Sequence, residues 1–316
     1  MSANQLVIAF MLGSVGTLAL GSVAKWIDRK VTARVQWRVG PPWYQPAVDC
    51  LKLMGKETLV PSSGQTTVFL VAPLVGLAAV CLAATLLWVM NLDRGVGFVG
   101  DVIVVFYLLA IPSLAAMLGA AAAGNPHASV GASREMKLLL SYELPLILAL
   151  LVAIVQTGSS FQIGEILAGQ AASPVAFTSI SGTVALLAAI FCIQGKLGLV
   201  PFDQAEAETE LMAGVYTEYS GVALGTIFLT RLAMLVALPL LLVTVFLGGF
   251  SLSGWGLLLS LLKLVAILVV ITLLRNTNPR LRIDQSVKFF WYIATPAALA
   301  ALALALLGQH YQVGWL

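Results

Sequence analysis

Eight times along this chain, roughly twenty residues pass with almost no charge, near Gln5–Ala24, Thr66–Asn91, Asp101–Ala123, Leu138–Thr157, Phe177–Gln194, Val222–Leu247, Ser253–Leu274 and Phe289–Leu307. A helix rising about 1.5 Å per residue needs about twenty of them to cross a hydrocarbon core of about 30 Å. Inside lipid every backbone amide must be satisfied within its own segment or in a closed barrel. These runs are continuously apolar and lack the period-two alternation of barrel strands, so they are helices. Composition agrees, with 60% hydrophobic and 10% charged residues and a mean hydropathy of +0.98. The expected fold is an all-α polytopic membrane protein, one transmembrane domain over residues 1–316 with about eight spans.

Orientation follows from the seventeen Lys and Arg. Fourteen fall after the odd-numbered spans: Lys25, Arg29, Lys30, Arg34, Arg38, Lys52 and Lys56; Arg134 and Lys137; Lys196; and Arg275, Arg280, Arg282 and Lys288. The opposite side carries Arg94, while Arg231 and Lys263 fall inside spans. Positive residues stay on the cytoplasmic side, which puts both termini outside and two long loops in the cytoplasm, residues 25–65 and 195–221. The expected location is the cytoplasmic (inner) membrane, multi-pass. No Lys or Arg precedes the first span, so it reads as a retained helix, not a cleaved signal.

The net charge of +3 therefore describes topology, and no soluble domain exists to meet a nucleic acid. Cys50, Cys81 and Cys192 form no C-x-x-C pair, and His127 and His310 lack ligand spacing, so no metal or iron–sulfur cluster is expected on this chain. No phosphate loop or nucleophile elbow is present. Any redox cofactor belongs to partners. Asn125-Pro126 with His127 looks like a helix stop and turn.

The second long loop, "PFDQAEAETELMAGVYTEYSG", concentrates Asp203, Glu206, Glu208, Glu210 and Glu218. Read as a helix, it places Asp203, Glu206 and Glu210 on one face and Glu208 elsewhere. Like charges on one face raise the proton affinity of at least one of them. The same spacing also fits an exposed acidic helix with Asp203 as N-cap and Glu206 as its partner. Both readings stay open. Glu143, in "SYELP", sits roughly 8 Å inside the fourth span if that helix starts near Leu138. Arg231 and Lys263 lie nearer mid-span, where an ionised group costs a few kcal/mol unless paired or hydrated. They read as static counter-ions between helices or, together with Glu143 and the acidic loop, as a hydrated charge path. Pro145 frees a backbone carbonyl beside Glu143.

The first loop has another character. Arg29, Arg34 and Arg38 lead into a rigid Gly40-Pro41-Pro42 corner, followed by an amphipathic stretch from Pro46 to Glu57 that suits a helix along the membrane surface. The arginines alone would serve topology or lipid phosphates. The corner argues for a fixed shape, and fixed shapes on a cytoplasmic face suit docking.

The ordered set "RVGPP", "SYELP", "PFDQAEAETEL" and "EYSG" resembles the H-subunit family of respiratory complex I, whose mitochondrial member is called subunit 1. It is also similar to the counterparts in energy-converting nickel–iron hydrogenases and related ferredoxin-linked complexes. The resemblance covers about two thirds of the chain, from the first loop to the sixth helix. It implies a membrane anchor between a peripheral electron-transfer arm and an ion-pumping membrane arm. By that likeness Glu143, Asp203, Glu206, Glu208, Glu210 and Glu218 belong to the charged path, and Arg29, Arg34, Arg38, Gly40, Pro41 and Pro42 contribute to the seat of the peripheral subunits. Implied partners are hydrogenase-like and iron–sulfur subunits, antiporter-like membrane subunits, lipid, and ferredoxin through the complex. The nickel–iron centre and clusters would reside in those partners.

Two departures choose the branch. Quinone-reducing members have a longer insertion after the Gly-Pro corner, and often a Glu about ten residues after the equivalent of "EYSG", where Arg231 stands here. The compact "GPPWYQPAVDCLKLMGKE" is more similar to the hydrogenase-type branch, coupling ferredoxin-linked chemistry to proton or sodium translocation. A quinone-binding complex I subunit is the alternative. A stand-alone solute carrier fits less well, because the acid lies chiefly in a loop and no paired Gly/Pro-broken helices suggest inverted repeats.

Overall fold

A computed structural model describes residues 3–62, 64–93, 95–172, 175–251, 254–311 and 313. The elements in chain order are α1 (Ala3–Val35), α2 (Gln45–Met54), α3 (Thr66–Leu92), α4 (Asp101–Leu108), α5 (Ile111–Ala122), α6 (Pro126–Gln156), α7 (Ile163–Ala172) and α8 (Ile180–Lys196). Then follow the single turn α9 (Glu208–Leu211), α10 (Gly221–Phe246), α11 (Trp255–Thr277), α12 (Ile283–Phe289) and α13 (Thr295–Tyr311), with a π turn, Phe290–Ala294, making α12 and α13 continuous. Among the described residues seven helical segments are long and apolar enough to cross a membrane, and α8 adds a shorter apolar helix of 17 residues. The described residues contain no strand.

α10 is the hub. Every residue from Leu232 to Phe246 is buried, as expected of a helix that is apolar all round. It packs against α1, α2, α3 and α11. Lipid is as apolar as leucine, so close approach, not exclusion from water, holds such helices together. Small residues provide it: a Cβ on Gly21 of α1 would lie 2.5 Å from the Leu232 carbonyl oxygen of α10, and one on Gly195 of α8 only 3.1 Å from the Tyr142 ring of α6. The third predicted span is two helices, because Pro112 near the start of α5 cannot donate back into α4.

Several helix ends differ from expectation. α1 continues to Val35, so Lys25, Arg29, Lys30 and Arg34 lie on a helix, and the first loop begins only after it. Partners explain this. Asp28, 3% exposed, takes Lys25 at 2.9 Å and Arg275 of α11 at 2.8 Å, while Arg29 holds Asp49 of α2 at 2.7 Å. The expected stop at Asn125-Pro126 is instead the start of α6. Asn125 accepts the His127 amide at 2.9 Å as N-cap, and Pro126 opens the first turn, where its missing N–H costs nothing. α6 thereby begins twelve residues before Leu138 and carries Arg134 and Lys137 within it.

The acidic segment does not form the expected helix. Residues 197–207 are irregular, and only Glu208–Leu211 and Gly214–Tyr216 make single turns. Pro201 removes a donor and biases Val200 away from helix. Side chains take the freed carbonyls: Gln194 Nε2 donates to Val200 O at 2.7 Å, and Gln204 Nε2 to Pro201 O at 3.1 Å. At 17 residues α8 spans about 25 Å, short of the hydrocarbon core. The chain after it therefore folds back into the bundle. Both long loops meet at this same end, since Leu59 N donates to Ser220 Oγ at 2.9 Å and Val222 N to Thr58 Oγ1 at 3.1 Å.

Candidate charged chamber

The segment folded back after α8 roofs a chamber of about 440 Å³. Glu135 comes from α6, Asp203 and Glu206 from the segment itself, Lys196 from α8 and Arg231 from α10; Lys25, Arg275 and Arg280 complete the charged lining. Pro73, Gly76, Pro112, Tyr216 and Tyr219 supply much of the remaining wall.

Most charges here are paired. Arg280 donates to Asp203 Oδ2 at 2.6 Å, and the second oxygen of Asp203 is buried without a hydrogen-bond partner. Burial first, then the like charge of Glu206, pushes the Asp203 carboxyl up to about 6 against the pull of Arg280. Glu206 is ion-paired with Arg231, whose guanidinium lies over the Tyr216 ring, 4.5 Å from its centroid. Burial pushes the Tyr216 hydroxyl up to about 12. Lys25 and Arg275 share Asp28. Glu135 and Lys196 form no ion pair among the described residues.

The carboxylates singled out from sequence are thus divided. Asp203 and Glu206 line the chamber, brought together by the irregular loop and not by a helical face. Glu210 is exposed and ion-paired with Arg134, and Glu218 accepts the Asn125 amide. Neither lines the chamber. The Glu208 side chain lies outside the described residues. Glu143 is half-buried on α6 and interacts electrostatically with Lys196. Lys263 is elsewhere: its Nζ donates to Leu247 O, just past the end of α10, about sixteen residues and so about 24 Å of helix from Arg231.

Glu135 and Lys196 do not stand out in the sequence as site residues. Glu135 falls before the expected start of its span, between Arg134 and Lys137, and Lys196 reads as one more topogenic cation. A pattern exists for the first: Glu135 and Tyr142, seven apart, share a helical face.

The Gly-Pro corner is tied to α1 and α2 by several contacts. Trp26 Nε1 donates to Pro41 O at 3.2 Å, Lys30 Nζ to Val39 O at 2.9 Å, and Gly40 (φ +76°) packs on α1, where a Cβ would meet Ala33 at 3.0 Å. Pro42 accepts the Gln45 amide at 3.3 Å at the entry to α2. Arg34 and Arg38 are exposed beside it, whereas Arg29 is engaged with Asp49. Among the described residues no group of three or more His, Cys, Asp or Glu could hold a metal ion.

An all-helical bundle with a charged chamber under two interlocked loops defines a polytopic membrane protein built around buried ionisable groups. Residues 6–306 match the NADH dehydrogenase family, and the chain belongs to it. The H subunit of NADH-quinone oxidoreductase from Thermomicrobium roseum is 33% identical over 99% of each chain. The same subunit from Syntrophotalea carbinolica is 34% identical over 92% of each, and that from Dehalococcoides mccartyi 34% over 88% of this chain and 80% of the relative. Among solved structures, a chain of the membrane-bound sulfane sulfur reductase, an archaeal respiratory membrane complex, superposes with a TM-score of 0.86 at 30% identity, covering 95% of this chain and 99% of that one.

Proposed function

We propose that this chain is the membrane anchor of an energy-converting, hydrogenase-type respiratory complex, coupling ferredoxin-linked electron transfer in peripheral partners to proton or sodium translocation. The face bearing both long loops is cytoplasmic on this reading, with both termini outside. Arg34, Arg38 and the Gly40–Pro42 corner seat the peripheral subunits.

The observation that carries the reading is Asp203, a carboxyl raised to about 6 inside a chamber of paired charges. One electron arriving about 10 Å away, at an effective dielectric of about 20, contributes roughly 1.7 kcal/mol, or a little over one pKa unit. At neutral pH that moves a carboxyl such as this from about a tenth protonated to about three fifths. An ordinary carboxylate near 4 would stay ionised under the same field. Redistribution of charge among Asp203, Glu206, Arg231 and Arg280 then reaches Glu143 through α6 and α8. Redox cofactors belong to the partners on this reading, and this chain converts their charge into a change of protonation.

The test is the composition and coupling of the complex purified in mild detergent. Nickel with iron–sulfur clusters among the copurifying subunits is expected, and Glu143→Gln should abolish ion uptake by vesicles while the complex still assembles. Flavin and bound quinone without nickel would instead establish the quinone-linked reading, which the relatives from NADH-quinone oxidoreductases favour. Unchanged ion uptake in Glu143→Gln would remove Glu143 from the path.

A further inference from the structure

The ammonium of Lys196 is an oddity that the pairing in the chamber does not absorb. It is 5% exposed, lines the chamber, and makes no ion pair or hydrogen bond through Nζ among the described residues. Two aromatic rings hold it instead, Phe106 at 4.8 Å and Tyr142 at 5.7 Å from their centroids. A ring face attracts a desolvated cation more weakly than a buried carboxylate does. Arg231, Arg275 and Arg280, which also line the chamber, each have a carboxylate partner.

Lys196 shares the chamber wall with one carboxyl and feels a second through space. The first is Glu135, near the buried contact between Ser113 and Tyr142, whose hydroxyls are 3.4 Å apart. The second is Glu143, which interacts with Lys196 without coming within 4 Å of its Nζ. The two glutamates stand eight residues apart on α6, about 12 Å along its axis. Cys192, one turn back on α8, and the hydroxyl of Tyr142 are the further titratable groups beside the amine.

We propose that Lys196 is the proton carrier between the chamber and Glu143, an inference that rests on the coupling reading above. The Nζ–H bond breaks as the proton passes to a carboxylate oxygen of Glu143, directly after a swing of the four-carbon stem or through one water. The neutral amine then takes a proton from the carboxylic acid of Glu135 across the chamber that both line, relayed by water. The net result is one proton moved from Glu135 to Glu143 with no electron transferred on this chain. The rings of Phe106 and Tyr142 accommodate both states, since neither demands a fixed charge as a carboxylate partner would.

Lys196→Arg decides between a carrier and a static cation, because a guanidinium keeps its charge at the rings but does not release its proton. Inverted membrane vesicles carrying the complex are driven with reduced ferredoxin and, separately, with NADH. Proton uptake is read by quenching of an acridine dye, sodium uptake by ²²Na⁺, and assembly by copurification. The expected result is an assembled Lys196→Arg complex with ion uptake at least tenfold below wild type. Uptake above half of wild type overturns the proposal. Lys196→His, titrating near neutrality, should restore part of the transport with its pH optimum moved at least one unit towards acid; an unmoved profile also overturns it. If neither variant assembles, Lys196 is structural and the proposal fails. Glu143→Gln run alongside separates the layers: uptake kept in that variant removes Glu143 from the path and the carrier with it, uptake lost there but kept in Lys196→Arg sinks only the carrier, and no ion uptake by the wild-type complex sinks the coupling reading itself.

Discussion

Arg280 reaches Asp203 across 77 residues of sequence, its Nη2 donating to Oδ2 at 2.6 Å, and so fastens the segment after α8 to the connection between α11 and α12. Gln204 reinforces the same seam, donating through Nε2 to Leu281 O at 3.1 Å and to Ser286 Oγ. The acidic segment is thereby part of the bundle, not a surface loop. These contacts link the carboxyl of Asp203 and its neighbour to the lead-in and first turns of α12.

Asp203 makes that link depend on pH. Its carboxyl is raised in the folded state to about 6 from the ordinary 3.8, so the folded protein binds this proton more tightly than the unfolded chain. The stabilisation is complete below about pH 4 and is lost as pH rises through about 6, to a limit of about 3 kcal/mol. Asp203→Asn should flatten this segment of the stability profile, measured as melting temperature in detergent between about pH 4.5 and 7.5. A profile unchanged by the substitution would mean that Asp203 has an ordinary carboxyl.

Asp28 should be the most expensive carboxylate to remove. It is 3% exposed and faces Lys25, Arg275 and Thr272, tying α1 to α11. Asp28→Leu leaves two half-buried cations without an anion, and breaking such a cluster costs about 3–5 kcal/mol. The double variant Lys25→Met/Asp28→Leu should recover part of that loss in melting temperature. Equal melting of the single and double variants would show that the Lys25–Asp28 contact carries no coupling.

How much of the fold and the chamber is legible in the sequence depends on the kind of residue. The apolar segments are visible because hydrocarbon imposes one composition on them, but their lengths are not all legible: α8 has only 17 residues and the third segment is two helices. Charge misleads at the ends: Lys25, Arg29 and Arg34 read as loop because the carboxylates that hold this part of α1, Asp28 and Asp49, are engaged through tertiary contacts that spacing does not encode. Asn125-Pro126 shows a local ambiguity, since Asn before Pro serves equally to end a helix or to cap the next. Asp203 and Glu206 are found through composition, yet an irregular loop and not a shared helical face brings them together. Glu135 and Lys196 escape notice because a charge near a span boundary looks topogenic until the fold shows which way the chain turns.

The contact of α1 with α10 offers a sharper test of packing. A methyl group on Gly21 would fall 2.5 Å from the Leu232 carbonyl oxygen, and backbone cannot give way as a side chain can. Gly21→Ala should therefore cost about 1–3 kcal/mol. Gly16, one turn and a residue earlier on the same helix, has nothing within 4 Å of the point where a Cβ would stand, so Gly16→Ala should be neutral or stabilise by up to about 1 kcal/mol. Melting of the two purified variants decides, and a similar loss in both would place the cost in helix α1 itself.

Lys263 provides the last test, because its sequence position and its structural position argue for different roles. By sequence it is a mid-span cation, a natural member of an ion path. In the fold its Nζ donates to Leu247 O, beside Gly248 (φ +80°), where α10 ends and its final carbonyls lack helical partners. A cation there satisfies an orphan acceptor and complements the negative end of the helix dipole, together worth about 1–2 kcal/mol. The length of α10 beyond Arg231 separates it from that chamber residue. Lys263→Met should then lower the melting temperature by a few degrees and leave vesicle ion uptake within about twofold of wild type. A tenfold fall in uptake at unchanged stability would instead return Lys263 to the ion path and require a second charged route along α10 and α11.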